Sequence, residues 1–456
     1  MYFIIDSHRN LFNSQAIPSP QAHQQKLRMN WINWCFHFWS SFHQTPRAQK
    51  LSVMSNHLEY IIKFTLPRSI VSDLNKVLDT SEIIVSNYDT KYLREISKKS
   101  NVSLELLEKP QLLFKDKIDN SEMPFIPKLK NKDNKIIDLD PYFVEYQKTR
   151  EVPADFRFSN PYHYEIEQCK MNYGFLLKVF SNPVLGVNLD SRNFHFIECY
   201  DDLLKVVNKL SSVTHFSFDV HNHSFRSYMG FTCFIEISFD AGDFLIDALR
   251  LREHLHLLNR LFTNSNILKV GMNCQEKLLW LQRDFGIFSV NFLDLALIVR
   301  QLSLPDSLPF LANKFLGFSF KDIYVEFDFR KRPVGQAEQT YLRSFSHLIL
   351  RIFFAVKDLA PKFGFDKFFE HIFDESKMLC LPTYEKPYPL EMYSRVFADA
   401  HFNLNKTYAN KLSKLLMWRD YTARLVDESN EYIFPNELLE TLLFCPAVIW
   451  EIFIEK

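Results

Sequence analysis

The stretch FSFDVHNHSFRSYMG, Phe216 to Gly230, sets one acid and two histidines at alternate positions. Alternate side chains of an extended strand share a face. Asp219, His221 and His223 are therefore expected on one side if the strand stays regular as far as His223. One carboxylate and two imidazoles suit a borderline divalent ion such as zinc. The competing reading is a pocket that only buries a histidine or carries one on its rim. A second cluster, Arg330, Lys331 and Arg332 in DFRKRP, is the best local basic patch. It reads either as a contact for RNA phosphates or as a solvated loop. Aromatic stacking on single-stranded RNA is a further option, but with 45 Phe in the chain no stripe of rings stands out.

The elements that must position these residues follow from periodicity. From Asn193 onward, FHFIECYDDLLKVVNKLSS reads as a strand then a helix, and HFSFDV as a strand. CFIEISFDAGDFLID reads as two strands joined at an Asp-Ala-Gly turn. LREHLHLLNRLF has the spacing of an amphipathic helix, ILKVGM of a short buried strand, and QEKLLWLQRDFG of a helix ending at Gly286. FLDLALIVRQL, SLPFLANKFLG and TYLRSFSHLILRIFFAVKDLA continue as helices. Strands alternating with helices predict an α/β domain with a mixed central sheet. Before it, residues 51–107 carry apolar residues at helical spacing. Residues 109–192 hold prolines and alternating charges, which predict an extended connector and not a packed unit. Residues 363–400 read as a linker and 401–456 as helical.

Composition narrows the classes. The chain has 456 residues, 47% of them apolar, enough for two or three globular domains. Lys plus Arg and Asp plus Glu balance at 54 each, so no global field draws in nucleic acid. Seven scattered Cys, none in a CxxC pair, point to reduced thiols. No run of eighteen apolar residues exists, so no membrane span is expected; WINWCFHFW at Trp31–Trp39 is too short for one.

From Leu107 to Leu443 the chain resembles the exosome component 10 family, nuclear-exosome-associated RNase D-like exonucleases. KPQLLFKDKIDNS..PFIPKL and NPYHYEIE look like the family's segment before the catalytic domain. FRSYMGFTCFIEIS, DFLIDALRLREHLHLLN, ILKV, WLQRDFG and DFRKRP follow its exonuclease domain in order. WRDYTAR.VDES..YIFPNELL is similar to the start of its helical HRDC domain. The resemblance implies an RNase H-like exonuclease domain at 193–362. A helical region at 1–108 would precede it, and an HRDC-like module at 401–456, expected to be truncated and without the family's basic tail, would follow.

It also implies a chemistry. Such enzymes cleave a terminal phosphodiester with two Mg²⁺ ions held by four carboxylates, while a Tyr orients the attacking water. The family's Asp-X-Glu falls on Asp219-Val220-His221. Its second Asp falls on Lys277, by the register from Trp280. Its Tyr-X-X-X-Asp falls on Tyr341 and Phe345. Asp219 and Tyr341 are retained; His221, Lys277 and Phe345 replace the other three acids. The site's charge then rises from about −4 to about zero with His neutral. Glu276 is expected to face away from Lys277's side of the helix. Asp294 falls at a family position that is not one of the four ligands, Asp328 in the DFRKRP loop reads as a loop or cap carboxylate in preference to a metal ligand, and His223 matches a family His.

The expectation is a divergent family member with an inactive exonuclease domain that binds RNA or exosome proteins. An active exoribonuclease with rearranged ligands, and a decaying paralogue, remain open. The resemblance further implies the nucleus, RNA processing and decay including rRNA, the exosome core, and a small cofactor protein bound by the N-terminal region.

Overall fold

Two fully buried strands dictate the centre of the molecule. Every residue of the strands Phe231–Phe239 and Gly242–Asp247 is buried, so both faces of this hairpin must be covered. The structure, a computed structural model, describes residues 109–153, 155–181, 189, 193–323, 328–360, 364–387, 406–434 and 436. In it, a six-stranded mixed sheet forms from β1 (Phe194–Ile197), β2 (His215–His223), β3 (Phe231–Phe239), β4 (Gly242–Asp247), β5 (Leu268–Gly271) and β6 (Phe292–Asp294), in the order β1-β4-β3-β2-β5-β6. The β2/β3 and β3/β4 pairs are antiparallel; β1/β4, β2/β5 and β5/β6 are parallel.

The helices of this unit are α1 (Pro141–Thr149), α2 (His163–Gln168), α3 (Tyr173–Phe180), α4 (Tyr200–Leu210), α5 (Gln275–Phe285), α6 (Leu295–Gln301), α7 (Leu308–Leu316), α8 (Gln336–Val356) and α9 (Phe365–Cys380). One apolar cluster, with Phe216, Ile235, Ile237 and Leu281, fills one side of the sheet; another, with Val270, Leu293, Ile349 and Phe353, fills the side under α8. Helix α5 stops at Gly286 in the left-handed conformation (φ +66°), where a Cβ would lie 2.4 Å from the Lys128 carbonyl oxygen. Only glycine fits there without strain.

Four sequence expectations change. The described part of the 109–192 connector is packed: Tyr162, Ile166, Leu176 and Val179 are each 1% exposed or less. Its prolines misled the reading, because Pro141 opens α1 behind the Asp140 cap, where a missing N–H leaves nothing unpaired. The 363–400 linker begins with α9, whose Phe369, Ile372 and Phe373 are buried. LREHLHLLNRLF is a 3-10 turn (Leu255–Leu258) and one helical turn (Asn259–Phe262), not one helix. FLD of FLDLALIVRQL is β6, and the helix starts only after the Asp294 cap. The helices expected at 51–107 and the Trp31–Trp39 segment lie outside the described residues.

A second compact unit contains α10 (Lys406–Val426) and the turn Asn430–Ile433, whereas Asp427–Ser429 belong to the first unit. Within the second unit, Arg419 donates to the carbonyl of Phe434 (2.8 Å) and to Asn436, and Arg424 pairs with Asp420 one turn earlier (2.7 Å). Among the described residues no helix is long and apolar enough to cross a membrane.

The WLQRDFG motif anchors the sheet to α5. Buried Asp284 accepts from Thr232 N on β3 (2.8 Å) and pairs with Arg252 (3.1 Å) and Arg283 (2.8 Å). Burial raises its pKa, but the two guanidinium groups outweigh that and hold it well below the usual carboxylate range. Asp284→Ala would leave two buried guanidinium groups without a counter-charge. A loss of about 3–5 kcal/mol is expected in urea unfolding, with a smaller loss for Asp284→Asn.

Candidate active-site cleft

Strand β2 runs beside β3 with Asp219 directly opposite Glu236. The pairing shifts between His221 and Asn222, a bulge that breaks the alternation the zinc reading required. The three side chains of the opening triad then go to three different partners. Asp219 pairs with Lys277 (2.5 Å). His221 Nε2 is hydrogen-bonded to Glu236 Oε1. His223 Nε2 accepts from the backbone N–H of Arg226 (3.2 Å), and its Nδ1 lies 3.7 Å from Asp328. Burial, with Arg330 and Arg226 beside it, lowers the His223 pKa to about 4, so the ring is neutral and free to accept. Among the described residues no group of three His, Cys, Asp or Glu is placed to hold a metal ion. The three side chains of the triad do not converge on one point.

Lys277 reaches Asp219 because the start of α5 is fixed from below. Asp294, at the end of β6, accepts from the N–H groups of Asn273 (3.0 Å) and Cys274 (2.8 Å) and caps α6 through Ala296 N (2.8 Å). That sets the turn into α5, so Lys277 points inward while Glu276, one residue earlier, is exposed. Lys277 Nζ also donates to the Met272 carbonyl (3.0 Å). Burial works against its charge, but Asp219, then Cys274, push the Lys277 pKa above the ordinary lysine range.

Helix α8 closes the other wall. Phe345 packs its ring against His221 (centroids 5.1 Å) and against Tyr341 one turn earlier (5.2 Å). The next residue, Ser346, donates its N–H to Glu236 Oε2 (2.9 Å). Both Glu236 oxygens are therefore taken; burial raises its pKa, and the His221 imidazole opposes that. Sequence reasoning missed Glu236. The signal was a single acid inside the apolar run FTCFIEISF, though only strand pairing puts it opposite Asp219.

The basic cluster is not a surface patch. Arg330 is 5% exposed and pairs with Asp328 (2.6 Å). Arg332 pairs with Asp247 (2.6 Å), with its guanidinium 4.0 Å from the centre of the Phe234 ring. Only Lys331 of the three is exposed. A fully buried acid explains each arginine: Asp247 on β4 and Asp328 in the loop need counter-charges more than a solvent-facing phosphate site would. Arg226 likewise makes two hydrogen bonds to buried Glu428 (2.9 and 2.8 Å), which also holds Lys109 (2.7 Å).

A family model described as a 3′-5′ exonuclease matches residues 194–344, the span that carries the sheet and most of the cleft. Human exosome complex component 10 is 30% identical over 395 residues, 79% of this chain and 44% of the human protein. The yeast (Saccharomyces cerevisiae) exosome complex exonuclease RRP6 is 29% identical over 436 residues, 87% of this chain and 58% of the yeast one. The crystal structure of the catalytic core of RRP6 from Trypanosoma brucei superposes with a TM-score of 0.64 at 27% identity, over 74% of this chain and 89% of that one. The chain belongs to the exosome component 10 family. It spans about half the length of the curated relatives it matches. Its sheet is the RNase H-like exonuclease fold of the family.

Family members of this exonuclease type use divalent metal. The cleft of this member does not fit a pair of hard dications. Asp219 is covered by an ammonium, Glu236 by an imidazole and an amide N–H, and Phe345 offers hydrocarbon. Hard ions need several free oxygens, and no free carboxylate among these residues remains. Tyr341 is present on α8, half-buried against Phe345.

The Asp219–Lys277 pair should stabilise the fold measurably. Because the Lys277 pKa is raised, its contribution is fully present below the unfolded lysine value of about 10.4 and fades only as pH climbs through the higher folded value. Lys277→Met strands a buried carboxylate and is expected to cost about 3 kcal/mol in urea unfolding at pH 7. Adding Asp219→Asn should recover more than half of that loss, since both charges then leave together.

Proposed function

We propose that this chain is a non-hydrolytic member of the family that binds RNA or exosome proteins. The observation that carries this reading is the Lys277 ammonium on Asp219, where the resemblance would require a metal ion. An active enzyme with rearranged ligands would need Glu236 as its second carboxylate, and both Glu236 oxygens are already bonded. The relatives' names place those proteins in the exosome complex. By that relationship we assign this chain to nuclear RNA processing and decay, including rRNA, with the exosome core and a small cofactor protein as partners. The HRDC-like assignment of 401–456 belongs to the same reading, as do the boundaries at 108, 192, 362 and 400.

Purified protein with 5′-labelled single-stranded RNA and either Mg²⁺ or Mn²⁺ should leave the RNA at full length. Stepwise shortening that Asp219→Ala abolishes would overturn the proposal. Combining His221→Glu, Lys277→Asp and Phe345→Asp rebuilds the family's carboxylates and should restore detectable 3′–5′ shortening dependent on Mg²⁺. In a pull-down from nuclear extract, tagged protein should recover exosome core subunits; their absence would remove the exosome half of the reading.

A further inference from the structure

One face of the connector keeps basic groups that no ion pair takes up. Of the six lysines from Lys115 to Lys135, four pair with acids: Lys115 with Glu253, Lys128 with Asp116, Lys132 with Glu165 and Lys135 with Asp138. Lys117 donates to the Leu112 carbonyl. Lys130 has no acid, only a long contact with the Glu253 carbonyl (3.4 Å). The Arg260 guanidinium has neither a hydrogen bond nor an ion pair among the described residues. Both side chains are exposed.

Lys130 and Arg260 line the same recess, where residues 129–133 and the turns at 256–260 meet Gly286 at the end of α5. Asn131, Asp133 and His256 stand on its wall as well. His256 Nδ1 lies 2.9 Å from the Glu253 carbonyl, which can only accept, so Nδ1 carries the ring's proton. Burial, then Lys130, lower the pKa of the ring, which leaves Nε2 a bare acceptor. Asp133 is the one acid on the wall; burial raises its pKa against the pull of Arg260 and His256. The recess holds about 40 Å³. At roughly 10–15 Å³ per water this admits a group the size of a few waters, not a base or a sugar. The cleft is elsewhere: Lys277 is in the first turn of α5, and Gly286 lies about 14 Å further along the axis.

A guanidinium fork takes two oxygens of an anion, and an ammonium takes a third. Carboxylates and phosphodiesters each offer two free oxygens, whereas a terminal phosphate offers three. The bare imidazole nitrogen takes the remaining proton of such a phosphate, whose second pKa is about 6. We propose that this recess binds a terminal phosphate group, carried by an RNA 5′ end or present as a free phosphate ion. The site does not rest on the non-hydrolytic reading of the cleft.

Isothermal titration of the full-length protein with inorganic phosphate, at pH 7 and fixed ionic strength, should show one site. Lys130→Gln combined with Arg260→Gln should weaken it at least ten-fold with an unchanged urea midpoint. Asp133→Asn removes the opposing charge but keeps the carbonyl that Tyr162 and Thr263 bond. It should tighten phosphate at least three-fold, a gain that a damaged fold does not give. Acetate should bind at least ten-fold more weakly than phosphate. Absence of phosphate binding overturns the proposal; so does binding that the double variant leaves unchanged, or acetate bound equally well. Single-stranded RNA labelled at its 3′ end, in EDTA, separates the two sources. At least three-fold higher affinity for a 5′-phosphate than for a 5′-hydroxyl end, lost in the double variant, assigns the phosphate to RNA. Equal affinity for the two ends assigns it to a free ion.

Discussion

A carboxylate on an inward-facing strand must be neutralised, and that demand organises the whole cleft. Asp219 sits on β2 where water barely reaches, at 4% exposure. Removing an ion from water costs several kcal/mol unless a partner is close. The family resemblance implies a cation from solution as that partner. In this chain it is covalently attached, as Lys277 at the start of α5. The rest follows from that anchoring. Asp294 fixes the turn that aims Lys277, and His221 and Ser346 satisfy Glu236 on the neighbouring strand.

The same rule recurs outside the cleft. Asp284 is held by Arg252 and Arg283, Asp328 by Arg330, Asp247 by Arg332, and Asp243 by His347. The basic side chains that look available for RNA in the linear sequence are largely spent on buried acids. This explains why DFRKRP reads as a patch and folds as a set of internal pairs. The motifs WLQRDFG and DFRKRP place their charges on each other's neighbours in the fold, Arg252 for Asp284 and Asp247 for Arg332, besides the internal Arg283–Asp284 and Arg330–Asp328 pairs.

The strand and helix order from Asn193 to Val356 was largely legible, because it rests on hydrophobic periodicity that each element carries locally. Misreadings cluster where local signals are ambiguous. FLD reads as helix because three residues are too few to show a period. Pro141 reads as a loop marker although proline opens helices as well as ending them. The packed 109–192 segment was missed because its buried residues, such as Tyr162 and Leu176, are spread thinly among charges.

The sequence by itself determined the family, the order of the sheet-forming segments, and the residue types His221, Lys277 and Phe345 at positions where the resemblance implies acids. These follow from residue type and spacing, which no packing changes. Only the tertiary structure decided where the replacements point. The bulge after His221 scattered the apparent triad, β2/β3 pairing brought Glu236 opposite Asp219, and α5 swung Lys277 onto the retained acid. Partners in a buried charge pair are chosen by proximity across elements far apart in the chain, here Asp219 and Lys277 at 58 positions' separation, and proximity of that kind exists only after folding.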